Sequence, residues 1–249
     1  MTARRVVLVG GHETLAAGGE GGAGGPDGTA DGPIPDVIGT GRELYAAAAL
    51  PGPLAVVPMT LGRDPGLAAH AAQTLGRLAG HRAPGELLLT RPLGTPTHLV
   101  GWLRAAAGRT PEGHAALITA PASSPEQDAE LFRIARLVRQ YSALRWAEVA
   151  LSGGDPDVPE AVDRCRRLGA HGVTVVPASF VGRRALGLDT SARGRAPAVR
   201  YGGPLLAPAA LRRLVAERVA VAERHWDLGG GDGLAAAGTA HHHDHDHVH

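Results

Sequence analysis

The chain has 249 residues, 44% hydrophobic and 20% charged, which is the composition of a soluble globular protein with enough length for a substantial core. Its formal net charge of +1 gives no reason to expect nucleic acid or anionic lipid as a partner, and no apolar run approaches the roughly 18 residues of a membrane span. All 25 basic residues are arginine, which excludes lysine Schiff-base chemistry, and the single cysteine, Cys165, excludes an internal disulfide and fits a reducing cytoplasm.

Short apolar runs that end in Gly, Pro or Thr predict buried parallel strands along the chain. The first run is too short for a secretory signal and is predicted to be a strand. The predicted strands are residues 6–9, 54–57, 87–89, 115–119, 147–151 and 173–176, with a weaker candidate at 198–201.

Helix start signals lie between these strands. Ser124 precedes Pro125 and the capping-box residue Gln127, and Asp157 precedes Glu160 in the same way, so each serine or aspartate is expected to cap a helix. Residues 209–224 predict a last amphipathic helix. Strands that alternate with helices at this spacing predict an α/β fold with a mainly parallel sheet.

Two segments have a different composition. Residues 16–36 are rich in glycine with little to bury, which predicts a mobile loop, and residues 227–249 predict a disordered tail. The tail could be a purification tag, but aspartates and a valine interrupt its histidines, which favours a native metal-collecting segment. These histidines are His241, His242, His243, His245, His247 and His249.

The sequence indicates an internal duplication. The segment LAVVPMTLGR (54–63) is similar to VTVVPASFVGR (173–183), and LLLTRPLGTPTHLVGWL (87–103) is similar to AVRYGGPLLAPAALRRL (198–214). Two related halves, 1–110 and 111–226, therefore fit the pattern. The alternative is that these are generic features of one doubly wound sheet.

These motifs, together with VVLVGGHE at the first strand, resemble the class II tetrapyrrole chelatases, the sirohydrochlorin cobalt- and ferrochelatases of the CbiX/SirB type. The resemblance covers most of residues 4–216. It implies two chelatase-like α/β halves and the insertion of a divalent metal, cobalt first, into sirohydrochlorin or a related tetrapyrrole. Such a lyase would serve cobalamin- or siroheme-type biosynthesis.

The chain departs from the family pattern at several positions. His12 stands where the family has its first histidine, but Glu13 replaces the glycine that follows, and Asp64 stands where the second histidine is expected. In the second half, 120–122 (Ala-Pro-Ala) replaces Gly-His-Gly, and Arg184 replaces the other histidine. The resemblance therefore assigns the metal site to the first half.

Metal insertion requires ligands for the ion and a base for the pyrrole N–H protons, and imidazole can serve both purposes. The resemblance implies that His12 is the catalytic base and a metal ligand, joined by Glu13, Asp64 and His70. A histidine and carboxylate set suits Co²⁺, Ni²⁺, Fe²⁺ or Zn²⁺. The alternative is structural: His12 would end a strand at a turn, and Asp64 would cap a helix.

The carboxylates of a tetrapyrrole predict arginines at the substrate site, since guanidinium groups bind carboxylates bidentately. The candidate substrate-binding residues are Arg63, Arg91, Arg183, Arg184 and His98. In a chain without lysine these arginines could instead be solubility charges, and His98 could be an ordinary first-turn helix residue.

Three functions fit the sequence. The first is a cytoplasmic chelatase, monomeric or homodimeric, that takes a metal ion and a tetrapyrrole. The second is a non-catalytic metal- or tetrapyrrole-binding protein with the same fold. The third is an unrelated α/β module that binds a small molecule, in which the GGHE motif is only a turn.

Overall fold

The computed structural model of the protein describes residues 4–14, 37–186 and 198–239. The loop predicted at 16–36 and the histidines of the tail lie outside these residues. None of the described helices combines the length and the apolar character needed to cross a bilayer.

Eight described strands form two four-stranded sheets. The first sheet has the order β2-β1-β3-β4 and the second has the order β6-β5-β7-β8, and all pairs in both are parallel. The seven predicted strands are all present, and the three-residue β2 was not predicted. The strands are β1 (Arg5–Gly10), β2 (Val37–Gly39), β3 (Leu54–Pro58), β4 (Leu87–Leu89), β5 (His114–Pro121), β6 (Ala147–Ser152), β7 (Gly172–Pro177) and β8 (Ala198–Tyr201).

Helices flank both sheets, which confirms the predicted α/β fold class. They are α1 (Arg42–Ala49), α2 (Leu67–Ala79), α3 (Pro96–Ala107), α4 (Pro125–Gln140), α5 (Val158–Arg167), α6 (Pro208–Asp227) and α7 (Leu234–Thr239). Both predicted caps are confirmed. Ser124 accepts the amide of Gln127 at 3.3 Å, and Asp157 accepts that of Glu160 at 2.8 Å.

The chain divides into two compact units. The described part of unit 1 comprises residues 4–11, 37–94 and 208–239, and that of unit 2 comprises 12–14, 95–186 and 198–207. The unit 1 core includes Val9, Leu54 and Leu75, whereas the unit 2 core includes Leu117 and Val175.

These units differ from the predicted halves, 1–110 and 111–226. Helix α3 packs against α4 and belongs to unit 2, while α6 packs against β3 and β4 and belongs to unit 1. Each of these helices follows the last strand of one sheet yet contributes to the other unit. The predicted boundary followed the end of a sequence repeat, and the repeat does not show that α3 and α6 each belong to the other unit.

The two sheets have the same order, as a duplication predicts, and their registers correct one alignment. Val9 pairs with Pro58 in the first sheet, and Thr119 pairs with Pro177 in the second. Counting from these pairs, the position equivalent to His12 is Ala122, the last residue of the Ala-Pro-Ala segment, and not its central proline.

The prediction that the chain is disordered from residue 227 onward is wrong for residues 227–239. Helix α6 extends to Asp227, and α7 follows with Leu234 and Ala237 packed on the unit 1 core. The Asp232 carbonyl accepts the amide of Leu89 at 2.8 Å, so this segment pairs with the end of β4. The glycine-rich composition of this segment led to the prediction of disorder, because a contact made by the backbone leaves no pattern in the side chains.

Candidate functional site

The loop after β3 has a shape that one hydroxyl group fixes. Thr60 Oγ1 accepts the amides of Gly62 at 2.9 Å and Asp64 at 3.2 Å. Gly62 has a φ of 115°, a left-handed conformation that favours glycine. The sequence Thr-x-Gly-x-Asp therefore positions Asp64 through local hydrogen bonds, a signal that was available in the sequence but was not recognised there.

The Asp64 carboxylate lies against the end of β1. A Cβ atom built on Gly11 would lie 2.3 Å from Asp64 Oδ2, closer than any real Cβ contact. Only glycine at position 11 leaves this space open. The carboxylate thus occupies the carboxyl ends of β1 and β3, the edge at which open α/β sheets bind ligands.

His70 lies beside the same loop. A Cβ atom on Gly66 would lie 3.4 Å from His70 Cε1 and 3.8 Å from Asp64 Oδ1, so the two side chains flank this glycine. His70 is exposed on α2, and Asp64 is half-buried. The structure therefore brings together two of the four predicted metal ligands within unit 1.

The other two predicted ligands, His12 and Glu13, group with unit 2. The Glu13 carbonyl accepts the amide of Phe180 at 2.8 Å, and Glu13, a predicted metal ligand, is buried with 1% exposure. His12 is half-buried and directly follows Gly11. Within residues 4–14, 37–186 and 198–239, no group of three or more His, Cys, Asp or Glu side chains could hold a metal ion.

The predicted substrate arginines occupy dissimilar places. Arg63, which was predicted to bind the substrate, is 1% exposed and is therefore a buried group. Arg91 is exposed beyond β4 and lines a cavity of unit 1. Arg183 is half-buried, with its guanidinium carbon 5.9 Å from the centre of the Tyr201 ring. The side chain of Arg184 is outside the described part of the structure.

His98 lies in the first turn of α3. Its Nδ1 is 3.0 Å from Oγ1 of Thr95, the cap residue, and its ring stacks on Trp102 with 5.6 Å between ring centres. These contacts favour the alternative interpretation of His98 as a helix residue over a substrate-binding role.

The sequence matches no protein-family model and no curated protein, whereas comparison with solved structures finds similarity to chelatases. One match is DR2241 from Deinococcus radiodurans, a multi-domain protein with structural similarity to chelatases (20% identity, 88% of this chain, TM-score 0.45). The chain spans 55% of its length. Another is the sirohydrochlorin chelatase SirB from Bacillus subtilis subspecies spizizenii in complex with cobalt (16% identity, 87% of this chain, 94% of SirB, TM-score 0.44).

A further match is SirB from Bacillus subtilis with Fe3+ (13% identity, 87% of this chain, 94% of SirB, TM-score 0.51). At these identities the likeness concerns the fold and not the chemistry. The two parallel sheets of this chain, with their flanking helices, therefore form a chelatase-like α/β fold.

Proposed function

We propose that this protein is a chelatase-like enzyme that inserts a divalent metal ion, cobalt first, into sirohydrochlorin or a related tetrapyrrole. The reaction would belong to cobalamin- or siroheme-type biosynthesis. One observation carries the proposal: Asp64 and His70 flank Gly66, and Asp64 lies against Gly11 at the carboxyl ends of β1 and β3. An imidazole and a carboxylate group thus lie close together, and Asp64 lies at the edge of the sheet where open α/β sheets bind ligands, which supports the proposal.

Asp64 and His70 suit a metal ion that is a substrate. Imidazole and carboxylate groups bind Co²⁺, Ni²⁺, Fe²⁺ and Zn²⁺ alike. With two protein ligands the ion would keep several water molecules, and it could then exchange these ligands for the four ring nitrogens. Loose binding is an advantage for a protein that must release the ion to its product.

His12 supplies the base in this proposal. As M²⁺ enters the ring, two pyrrole N–H protons leave, so the net charge of the tetrapyrrole is unchanged by the exchange. Imidazole accepts and releases protons near neutral pH. His12 directly follows Gly11, the glycine against which the Asp64 carboxylate lies. We therefore assign proton removal to this histidine.

The test is Co²⁺-dependent conversion of sirohydrochlorin, followed by its absorbance change. His12→Ala is expected to abolish conversion, and Asp64→Asn to weaken Co²⁺ binding about tenfold or more. Ala122→Ser, at the equivalent position of the other half, is the matched control and is expected to retain full activity. Wild-type rates in His12→Ala would exclude this residue as the base.

A non-catalytic metal- or tetrapyrrole-binding protein is the second candidate. Its tetrapyrrole-binding form requires no group of three or more metal-ligand side chains, and the described residues contain none. Tetrapyrrole binding without conversion by the wild-type protein would support this candidate over the enzyme. Absence of both tetrapyrrole binding and Co²⁺ binding would contradict both candidates.

A further inference from the structure

Unit 1 contains a cavity of about 630 Å³ that the proposed metal chemistry does not use. It lies beyond the carboxyl end of β4, between the start of α2, helix α6 and the segment that leads into α7. Its volume is that of a small-molecule site. Because all of its lining residues belong to unit 1, the cavity is a property of that unit alone.

The walls of the cavity are mainly apolar and carry small side chains. Leu89, Pro92 and Val221 contribute apolar surface, and alanines at 68, 222, 236 and 237 leave the interior open. An apolar cavity of this kind favours an apolar ligand body, since burying that body releases its hydration water.

Four groups in the lining can carry charge. Arg218 is held in place, because its Nε and Nη2 donate to the carbonyls of Pro92 at 3.1 Å and Leu93 at 3.0 Å. The Asp232 carboxylate accepts the amide of Leu234 at 3.0 Å. The His225 ring lies against Gly230, where a Cβ atom would come within 2.4 Å of it.

Arg91 differs from these three groups. It is exposed at the cavity, and no described residue accepts a hydrogen bond from its guanidinium. Arg91, Arg218 and Asp232 together carry a formal charge of +1. The lining thus complements a ligand with one negative charge, and Arg91 is the group free to bind it.

We propose that this cavity binds a small organic monocarboxylate with an apolar body, and that Arg91 holds the carboxylate. The planar guanidinium can donate two parallel hydrogen bonds to both carboxylate oxygens. This assignment replaces the tetrapyrrole-binding role predicted for Arg91, because a tetrapyrrole with many carboxylates does not match a lining with a single net positive charge. The inference therefore stands apart from the proposed chelatase activity.

Calorimetric titration of the full chain with octanoate tests the proposal, with 1-octanol as the neutral probe and octylammonium as the cationic probe. Octanoate is expected to bind at least about tenfold more tightly than octanol, because it alone can pair with Arg91. Octylammonium is expected not to bind. Equal affinity for octanoate and octanol would overturn the proposal, as would an absence of octanoate binding.

Two pairs of variants locate the site. Arg91→Met is expected to weaken octanoate binding about tenfold or more, whereas Arg77→Met, an exposed arginine of α2 outside the cavity, is expected to leave it unchanged. Ala222→Leu is expected to abolish binding by filling the cavity, and Ala216→Leu on the exposed side of α6 is its control. Unchanged octanoate affinity in Arg91→Met, or an equal loss in Arg77→Met, would contradict the assignment.

Discussion

Gly11 controls the position of a proposed metal ligand without being one. In Gly11→Ala the new methyl group would collide with Asp64 Oδ2, and this flexible side chain would have to turn away. We expect Co²⁺ affinity to fall about tenfold or more while the melting temperature changes little. Titration should use a chain that ends at Thr239, so that the tail histidines do not compete for the ion.

Gly41→Ala is the matched control for this change, because a Cβ atom on Gly41 meets nothing within 4 Å. If Gly11→Ala and Gly41→Ala bind Co²⁺ equally well, the Asp64 carboxylate is not a metal ligand.

Cys165 predicts an alkaline limit to stability. It is fully buried, and burial raises the pKa of its thiol from the ordinary 9.0 to about 11. A raised folded-state pKa stabilises the protein fully below pH 9, and this stabilisation is lost as the pH rises towards 11. We expect the free energy of unfolding to fall by about 2–3 kcal/mol across that window.

Cys165→Ala, compared with wild type in chemical denaturation at pH 8 and pH 11, isolates this contribution. The variant is expected to lose less stability than the wild type over the same range. The native thiol should also react slowly with thiol reagents at pH 8, and rapid labelling would show that the side chain is accessible.

At the scale of elements, arginines join helices and loops through backbone carbonyls. The Arg82 guanidinium donates to the carbonyls of Ala48 at 3.1 Å and Leu50 at 2.8 Å, and it pairs with Glu86 at 2.8 Å. It therefore ties the end of α1 to the turn before β4. Arg82→Met is expected to lower the free energy of unfolding by about 2–3 kcal/mol, because these carbonyls lose a charged donor.

Denaturant unfolding measures this loss. The control is Arg77→Met, which removes an exposed arginine of α2. The same loss in both variants would mean that removing a positive charge, and not the carbonyl contacts, is responsible.

The segment from 232 to 239 is predicted to support unit 1. Truncation after Thr239 should leave the melting temperature unchanged, whereas truncation after Gly233 removes Leu234 and Ala237 from the core and should lower it by several degrees. Thermal unfolding of the two truncated chains compares them directly. Equal melting temperatures would show that α7 contributes nothing to stability.

At the scale of the whole molecule, we predict that residues 1–110 do not fold independently. This fragment lacks α6 and α7, and it keeps α3, whose partner α4 lies beyond its end. We expect it to show no cooperative thermal transition and to bind hydrophobic dyes. A cooperative transition near that of the full chain would contradict the division into units.

The parts of the fold that local interactions determine were predictable from the sequence. Ser124 and Asp157 cap their helices as expected, because a cap depends on only three or four consecutive residues. Contacts between distant segments were not predictable. The pairing of Asp232 with Leu89 and the exchange of α3 and α6 between units depend on tertiary packing that no local pattern records.

The candidate site divides in the same way. The resemblance pointed to Asp64 and His70, which do lie together, but the burial of Arg63 and Glu13 is a property of the folded chain. Asp64 and His70 both lie within 4 Å of the position that a Cβ atom on Gly66 would take, and Asp64 is positioned by a turn whose hydrogen bonds the sequence encodes locally.

Because α6 belongs to unit 1 although it follows the second sheet in the chain, the two units are expected to fold at different times during translation. Strands β1 to β4 leave the ribosome early together with α2, but α6, which also packs against β3 and β4, begins only at Pro208. At about 5–20 residues per second, the nascent first sheet waits roughly 6–24 s for α6. The contiguous stretch from 95 to 207 meets no such delay, so the second sheet can mature before the first, in the reverse of their order of translation.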